Sequence, residues 1–293
     1  MKTEDPFNLR PIWDALLDIY NDYASLCKKH GLRHYVTDGA SLGARRHKGF
    51  IQWDDDLDIS MPRPDYEKFL ALAEKELPKH LKLVYWKNTP ELPVLFAKIQ
   101  DSREERVHEV EAKVNHILSN GLYLDIIPVD GYPEGALRCL WIKWRDLFLI
   151  PIERYYIRKY AHLSSKGRVA WICGMFMRFF VPWLNSPYKL LQIHDRSLKA
   201  TPFETSKMTG RCCQRPNLFR RVPVPREIWG EPVEREMDVQ TAFFPHDLDA
   251  HLQNEYGPNY MTPPPEIARH PGHSFAWRYP WCFGPTCSNE KHM

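Results

Sequence analysis

The chain has 293 residues, 43% of them hydrophobic and 26% charged, with a formal net charge of +3 at pH 7. These values are typical of a globular protein of one or two domains and exclude collagen, a disulfide scaffold and a disordered chain. The small net charge gives no reason to expect nucleic acid as a partner. The seven cysteines include no CxxC pair, which favours reduced thiols over a zinc site.

Hydrophobic periodicity predicts an α/β (α+β) fold, in which helices flank a small mixed sheet. The predicted elements are, in chain order, a helix over 10–29, a strand over 33–37, a short helix over 41–47, a strand over 50–59, a helix over 66–77, strands over 81–86, 94–100, 106–111 and 122–130, a helical stretch from about 135 to 195, and a helix over 243–256. Gly39 opens the turn before the short helix, Gly49 closes that helix, and Asp65 is a suitable N-cap for the next one.

The stretch 137–194 differs from the rest of the chain in charge. It holds ten lysines and arginines against two acidic residues, together with twelve aromatic residues. Two interpretations stay open: a helical subdomain with an aromatic core and solvated cations, or a surface for a membrane or an anionic, lipid-linked ligand. We expect three units: a core over 1–134, this basic and aromatic helical subdomain over 135–200, and a Pro-rich segment over 201–293 that packs back on the core.

Two features bear on location. The apolar run 169–188 is long enough to span a bilayer, but Arg178 and Pro182 interrupt it, so we do not expect a transmembrane helix. The first ten residues contain no apolar region typical of a secretory signal.

The segment Trp53–Ile59, WDDDLDI, is the most informative in the chain. Because side chains alternate along a strand, Asp54, Asp56 and Asp58 are predicted to share one face. Three carboxylates on one face repel each other unless a cation lies among them, and hard oxygen ligands suit Mg²⁺ or Mn²⁺. The alternatives are an exposed acidic strand and a calcium loop, and the calcium loop is disfavoured because its usual glycine is missing.

Asp125 is a lone acid within the apolar strand 122–127. An unpaired buried acid is costly, so the strand is predicted to lie beside the first one and to place Asp125 next to the same metal. The alternative is a core aspartate held by backbone N–H groups.

A glycine turn and a short basic helix precede the acidic strand. Gly39, Ser41 and Gly43 form the bend, and the free N–H groups at a helix N-terminus can bind phosphate. Arg46 and Lys48 follow closely. This order of turn, basic helix, Asp-x-Asp strand and later Asp provides the groups that are needed to transfer a phosphoryl group with a divalent metal.

The segment DGASLGARRHKGFIQWDDDLDISMPRPDYEKF (38–69) resembles the core motif of the LicD family, which includes the fukutin-related proteins. LYLDIIPVDGYP (122–133) is similar to a later family segment, and NEYGPNYMTPPPEIARHPGH (254–273) to its C-terminal block. The resemblance implies a nucleotidyltransferase-like mixed sheet with an added helical part. It also implies transfer of a phosphorylated group, best exemplified by phosphocholine from CDP-choline, to a cell-surface glycan or glycolipid precursor.

The resemblance further implies roles for single residues. The metal-binding and catalytic carboxylates are expected to be Asp56, Asp58 and Asp125, with Mg²⁺ or Mn²⁺ as the cofactor. The residues expected near the donor phosphates are Gly39, Ser41, Gly43, Arg46 and Lys48. Lys98 matches a Lys-containing strand of the family, whereas Arg269 and His273 match the closing block without an assigned role.

Three functions therefore stay open. The first is a LicD-type phosphotransferase, which releases CMP. The second is a nucleotidyltransferase that attaches NMP from an NTP to a small molecule or protein and releases pyrophosphate. The third is a non-catalytic member that binds glycan or membrane. We expect a cytoplasmic location, peripheral at the inner membrane face, because CDP-linked donors are cytosolic.

Overall fold

The computed structural model describes residues 4–89, 94–103, 107–108, 122–142, 144–146, 149, 176, 186–213, 223–269, 271 and 275–276. The helices are α1 (Arg10–Lys29), α2 (Asp38–His47), α3 (Arg63–Glu76), α4 (Pro187–Lys199) and α5 (Leu248–Tyr256). The strands are β1 (Tyr35–Thr37), β2 (Asp58–Pro62), β3 (Leu81–Val84), β4 (Ala97–Asp101), β5 (Val107–His108), β6 (Tyr123–Tyr132), β7 (Met208–Gly210), β8 (Val224–Pro225), β9 (Val233–Met237), β10 (Gln240–Phe244) and β11 (Phe275–Ala276). The predicted fold of helices around a mixed sheet is confirmed.

The central sheet is built around β6, the longest of these strands. Its order is β1–β2–β6–β4–β3, and β7 and β8 extend it from the second half of β6. β2 and β6 are parallel, whereas the other neighbouring pairs are antiparallel. The register aligns Thr37, Asp58, Asp125 and Lys98 in one row across four strands. The predicted pairing of the Asp125 strand beside the Asp58 strand is therefore correct.

Helix α1 has the bounds that its periodicity predicted, and its apolar face is buried. Asp5 accepts hydrogen bonds from the backbone N–H groups of Leu9 and Arg10, at 2.6 and 2.8 Å, which satisfies donors where the helix begins. The Trp13 ring stacks on Phe50 with the centroids 5.3 Å apart. The helix therefore covers the loop that carries the acidic residues.

The strand predicted over 50–59 is wrong in its first part. β2 begins only at Asp58, and the preceding residues form turns and loop. The Asp54 N–H donates to the Ile51 carbonyl at 2.9 Å, and the Trp13 indole N–H donates to the Asp54 carbonyl at 2.7 Å. These bonds use backbone groups that a strand would pair with its neighbour, so Asp54 and Asp56 do not lie on the strand face.

Three helix starts also differ from the prediction. α2 begins at Asp38 instead of residue 41, and Lys48, with φ 56°, takes the left-handed conformation expected at Gly49. α3 begins at Arg63, because the Asp65 carboxylate accepts from Arg33 Nε at 2.8 Å instead of capping the helix. α5 begins at Leu248, since the residues before it are in β10 and the turn that follows.

Much of the predicted helical stretch 135–195 lies outside the described residues, as do His273 and most of the apolar run 169–188. Residues 136–142 and 144–146 are helical, and α4 closes the stretch. None of the described helices combines the length and the apolar character that crossing a membrane requires.

Candidate active site

The register of the sheet places two acidic side chains and one basic side chain next to each other. Asp58 on β2 pairs with Asp125 on β6, and Asp125 pairs with Lys98 on β4. Lys98 Nζ donates to Asp125 Oδ1 at 2.7 Å and lies 3.6 Å from the centroid of the Tyr123 ring. The Lys98 side chain is only 6% exposed, so its charge compensates a carboxylate in a largely dry environment.

Asp54 reaches the same region from the loop before β2. Its carboxyl group lies against Gly39, where an added Cβ would come within 2.8 Å of Asp54 Cγ. Burial raises the pKa of Asp54 well above its usual range, and the neighbouring charges of Asp56 and Asp55 raise it further. Within the part of the chain that the structure describes, the buried Asp54 Oδ2 has no hydrogen-bond partner.

Asp58 shows the same effect. Burial raises its pKa well above the usual range, and the charges of Asp38, Asp56 and Asp125 add to this, while Arg211 opposes it. The five carboxylates Asp38, Asp54, Asp56, Asp58 and Asp125 are hereafter called the acidic cluster. Because each one makes its neighbours harder to ionise, the cluster favours a bound cation.

Arg211 neutralises one side of the acidic cluster. It is buried directly after β7, and its guanidinium donates to both oxygens of Asp38, with Nη2 2.9 Å from Oδ1. The same Nη2 donates to Glu255 Oε1 of α5 at 2.7 Å. Asp38 holds a left-handed φ of 51°, so the ion pair fixes a residue in a conformation that non-glycine residues seldom adopt.

Sequence reasoning did not identify Asp38, Arg211 or Glu255 as site residues. Asp38 stood in the quoted motif beside Gly39, and its position before the turn was the available signal. Nothing in the local sequence around Arg211 marks it, because its role depends on a partner 173 residues away.

Two of the residues predicted to contact phosphate lie at the acidic cluster. Gly39 contacts Asp54, and the Ser41 hydroxyl donates to the Asp38 carbonyl at 2.9 Å. Gly43 instead packs against the backbone around Ile51, whose N would lie 2.7 Å from an added Cβ. Its role in this structure is the close approach of α2 to the acidic loop.

The two predicted phosphate-binding cations contact the C-terminal part of the chain. Arg46 Nη2 donates to the carbonyls of Tyr260 and Thr262, the second at 3.1 Å. Lys48 Nζ pairs with Glu236 Oε2 at 3.1 Å, and its side chain is 69% exposed. In this structure, therefore, neither Arg46 nor Lys48 pairs with a carboxylate of the acidic cluster.

A divalent cation fits the chemistry of the acidic cluster. The candidate ligands are hard carboxylate oxygens, which Mg²⁺ and Mn²⁺ prefer, and the buried Asp54 Oδ2 accepts no hydrogen bond from the described residues. Among the described residues, no three His, Cys, Asp or Glu side chains are already gathered around one point as ligands. The residue types therefore suit a divalent cation, but the described carboxylates are not already arranged as ligands around one point.

Comparisons with known proteins point to one family. The model of the LicD/FKTN/FKRP nucleotidyltransferase domain matches residues 31–156. The lipopolysaccharide cholinephosphotransferase LicD of Haemophilus influenzae is 24% identical over 266 residues, which cover 88% of this chain and 92% of that protein. An uncharacterized protein of Rickettsia typhi is 34% identical over 71 residues, or 24% of this chain and 22% of that one. The resemblance to the LicD family is thus confirmed, and it is strongest over residues 31–156, which match the model of the family's nucleotidyltransferase domain.

Proposed function

We propose that the protein transfers a phosphorylated group, phosphocholine from CDP-choline, to a glycan or glycolipid precursor in a metal-dependent reaction. The observation that carries this proposal is the acidic cluster, with Asp58 and Asp125 in register on parallel strands inside a LicD-family domain. The relative from Haemophilus influenzae is named a lipopolysaccharide cholinephosphotransferase, which supports phosphocholine as the transferred group.

Asp56, Asp58 and Asp125 would hold Mg²⁺ or Mn²⁺, which neutralises charge on the pyrophosphate of the donor when it is bound. Lys98 fixes Asp125 through Oδ1 and keeps the carboxylate oriented. An acceptor hydroxyl oxygen forms the new bond to phosphorus, the bond from phosphorus to the CMP oxygen breaks, and CMP leaves. Asp125 takes the proton of the hydroxyl, which is the task of a general base.

Aromatic side chains at the acidic cluster support choline as the transferred alcohol. Trp53 precedes Asp54, and the guanidinium of Arg269 lies 5.7 Å from its ring centroid, so this ring already takes part in a cation–π contact. Tyr256 follows Glu255, whose carboxylate accepts a hydrogen bond from Arg211 beside the cluster. A trimethylammonium group is held by such faces through cation–π contact.

The test is release of CMP in the presence of Mg²⁺ or Mn²⁺ from CDP-choline, CDP-ribitol, CDP-glycerol and CTP, with a glycan acceptor preparation. We expect CMP from CDP-choline and loss of at least about 10³-fold in kcat for Asp58→Asn, because a charged ligand is lost while the shape is kept. Asp14→Asn, at an exposed carboxylate on α1, is the matched control and is expected to retain full activity.

The other outcomes decide between the remaining functions. Pyrophosphate released from CTP would replace the proposal by nucleotidyl transfer. Full activity of Asp58→Asn would contradict the assignment of the carboxylates. Failure of CDP-choline to bind in an equilibrium measurement with metal would favour a non-catalytic member.

A further inference from the structure

The helical residues 136–142 and 144–146 turn large apolar side chains outward. Leu137, Leu140, Trp141 and Trp144 are 83%, 51%, 58% and 63% exposed. Their spacing of three, four and seven residues places them on one face of a helix. We call these four residues the apolar stripe. A surface helix normally buries such a face, so the stripe requires an explanation.

Two charged side chains at the end of the same helix point into the protein, and one of them, Arg145, places its guanidinium 5.9 Å from the centroid of the Trp141 ring. Arg145 and Asp146 are buried and form an ion pair at 2.6 Å. Arg145 Nη1 also donates to Ser197 Oγ on α4 at 3.1 Å, and His194 Nε2 lies 3.7 Å from Asp146 Oδ1. These contacts fix the rotation of the helix, because turning the stripe inward would break the hydrogen bond from Arg145 to Ser197 and separate Asp146 from His194.

Exposed cations lie on the helix of the apolar stripe and on α4, the helix that Arg145 contacts. Arg138 on the first of these helices and Lys189 and Arg196 on α4 are exposed. The stretch 137–194 as a whole carries ten lysines and arginines against two acidic residues. Tryptophan and leucine on one helix face, combined with cations nearby, are typical of helices that lie in the interface of an anionic bilayer.

We propose that the apolar stripe docks the protein on an anionic lipid bilayer, with Trp141 and Trp144 in the headgroup region. A second copy of the chain is the competing occupant. In a two-fold dimer through this face, the exposed cations of these two helices would face those of the other copy, so repulsion of like charges disfavours that arrangement. An anionic lipid surface provides both an apolar layer and opposite charge. This inference does not depend on the proposed function.

The test is sedimentation of the full chain with vesicles of phosphatidylcholine alone and of phosphatidylcholine mixed with phosphatidylglycerol. We expect binding to the mixed vesicles and at least about tenfold weaker partitioning for Trp141→Ser combined with Trp144→Ser, because their rings leave the interface. Val239→Ser removes a side chain of matched exposure, 57%, outside the stripe and is expected to bind like the wild type. Circular dichroism verifies that the variants are folded.

A conservative variant assigns the contact to the stripe. Trp141→Phe combined with Trp144→Phe keeps aromatic bulk, so it is expected to bind while losing the vesicle-induced blue shift of tryptophan fluorescence. Wild-type protein that stays in the supernatant with mixed vesicles would overturn the proposal. So would equal binding of the serine variant, or a dimer in sedimentation velocity that the serine variant dissociates. The assay involves no turnover, so its outcome is independent of the enzymatic test.

Discussion

At the residue scale, two glycines of α2 have different neighbours, so the same substitution is expected to act differently. A Cβ at position 39 would collide with the Asp54 side chain, which can move away. Gly39→Ala is therefore expected to lower the rate of CMP release at least about tenfold with little change in the melting temperature, because it displaces a carboxylate of the cluster.

A Cβ at position 43 would instead collide with the backbone around Gly49 and Ile51. Gly43→Ala is expected to cost about 1–3 kcal/mol of the free energy of unfolding, since backbone shifts must relieve the overlap. Initial rates and thermal unfolding of both variants check this pair. If Gly39→Ala kept its rate, or if Gly43→Ala melted like the wild type, the corresponding contact would be of no consequence.

The same scale shows how far sequence reasoning about the site can go. The pairing of Asp58 with Asp125 followed from two apolar strands that each carried an acid, and the register confirms that they are neighbours. The ion pair between Arg211 and Asp38 could not be predicted from the sequence, because the two residues meet only once β7 has paired with β6. The local sequence pattern identifies the carboxylates of the site, whereas the cation that neutralises them can be identified only from the tertiary structure.

At the scale of secondary-structure elements, helical periodicity predicted α1 correctly, whereas the alternation of acidic and apolar residues predicted a strand that begins too early. α1 has the bounds that its apolar spacing predicted. The alternating acids of the segment WDDDLDI imitate a strand, but the Trp13 indole binds the backbone at Asp54 and holds the first part as a loop. Alternation records which side chains are polar and carries no information about where backbone hydrogen bonds go.

One buried ion-pair network joins three elements and can be tested by removing its centre. Arg63, at the start of α3, donates from Nε and Nη2 to Asp130 on β6, at 2.6 and 2.9 Å, and from Nη1 to Asp195 on α4 at 3.1 Å. Arg63→Met leaves Asp130, only 1% exposed, without its cation, while Lys199 still pairs with Asp195. We expect a loss of about 3–5 kcal/mol in the free energy of unfolding.

Urea denaturation measures this loss, with Arg45→Met as the matched control. Arg45 pairs with Asp249, and both side chains are more than 40% exposed, so that variant is expected to lose about 0–1 kcal/mol. Equal losses for the two variants would show that burial of the Arg63 network has no special weight in holding α4 to the sheet.

At the scale of the whole molecule, the later part of the described chain is bound to the first. Arg10 pairs with Asp238 in the turn between β9 and β10, and the N–H of Asp238 donates to the Lys48 carbonyl at 2.5 Å. The backbone N–H of Phe243 donates to the Tyr20 hydroxyl at 3.1 Å. These contacts connect the β9–β10 hairpin to α1 and to the end of α2, and the last of them lies beside a buried histidine, His34, whose Nε2 is 3.2 Å from the Tyr20 hydroxyl oxygen.

That histidine makes the stability of the molecule depend on pH. His34 is 4% exposed, its ring lies edge-on to Tyr23 and Phe243, and burial lowers its pKa to about 4. In the unfolded chain the same imidazole takes up a proton near pH 6.5. Between about pH 6.5 and 4 the unfolded state therefore binds one more proton than the folded state, and the free energy of unfolding falls as pH falls, by about 1.4 kcal/mol per pH unit.

Urea unfolding at pH 7.0 and 5.5 measures this slope for the wild type and for His34→Gln. The variant is expected to be less stable at pH 7, because its side chain packs less well between the rings, but its stability should fall less steeply with acid. The difference in slope isolates His34, since the other histidines are common to both proteins. Identical slopes would mean that the imidazole is protonated inside the fold, and that the contact between α1 and the β9–β10 hairpin opens more readily than its burial indicates.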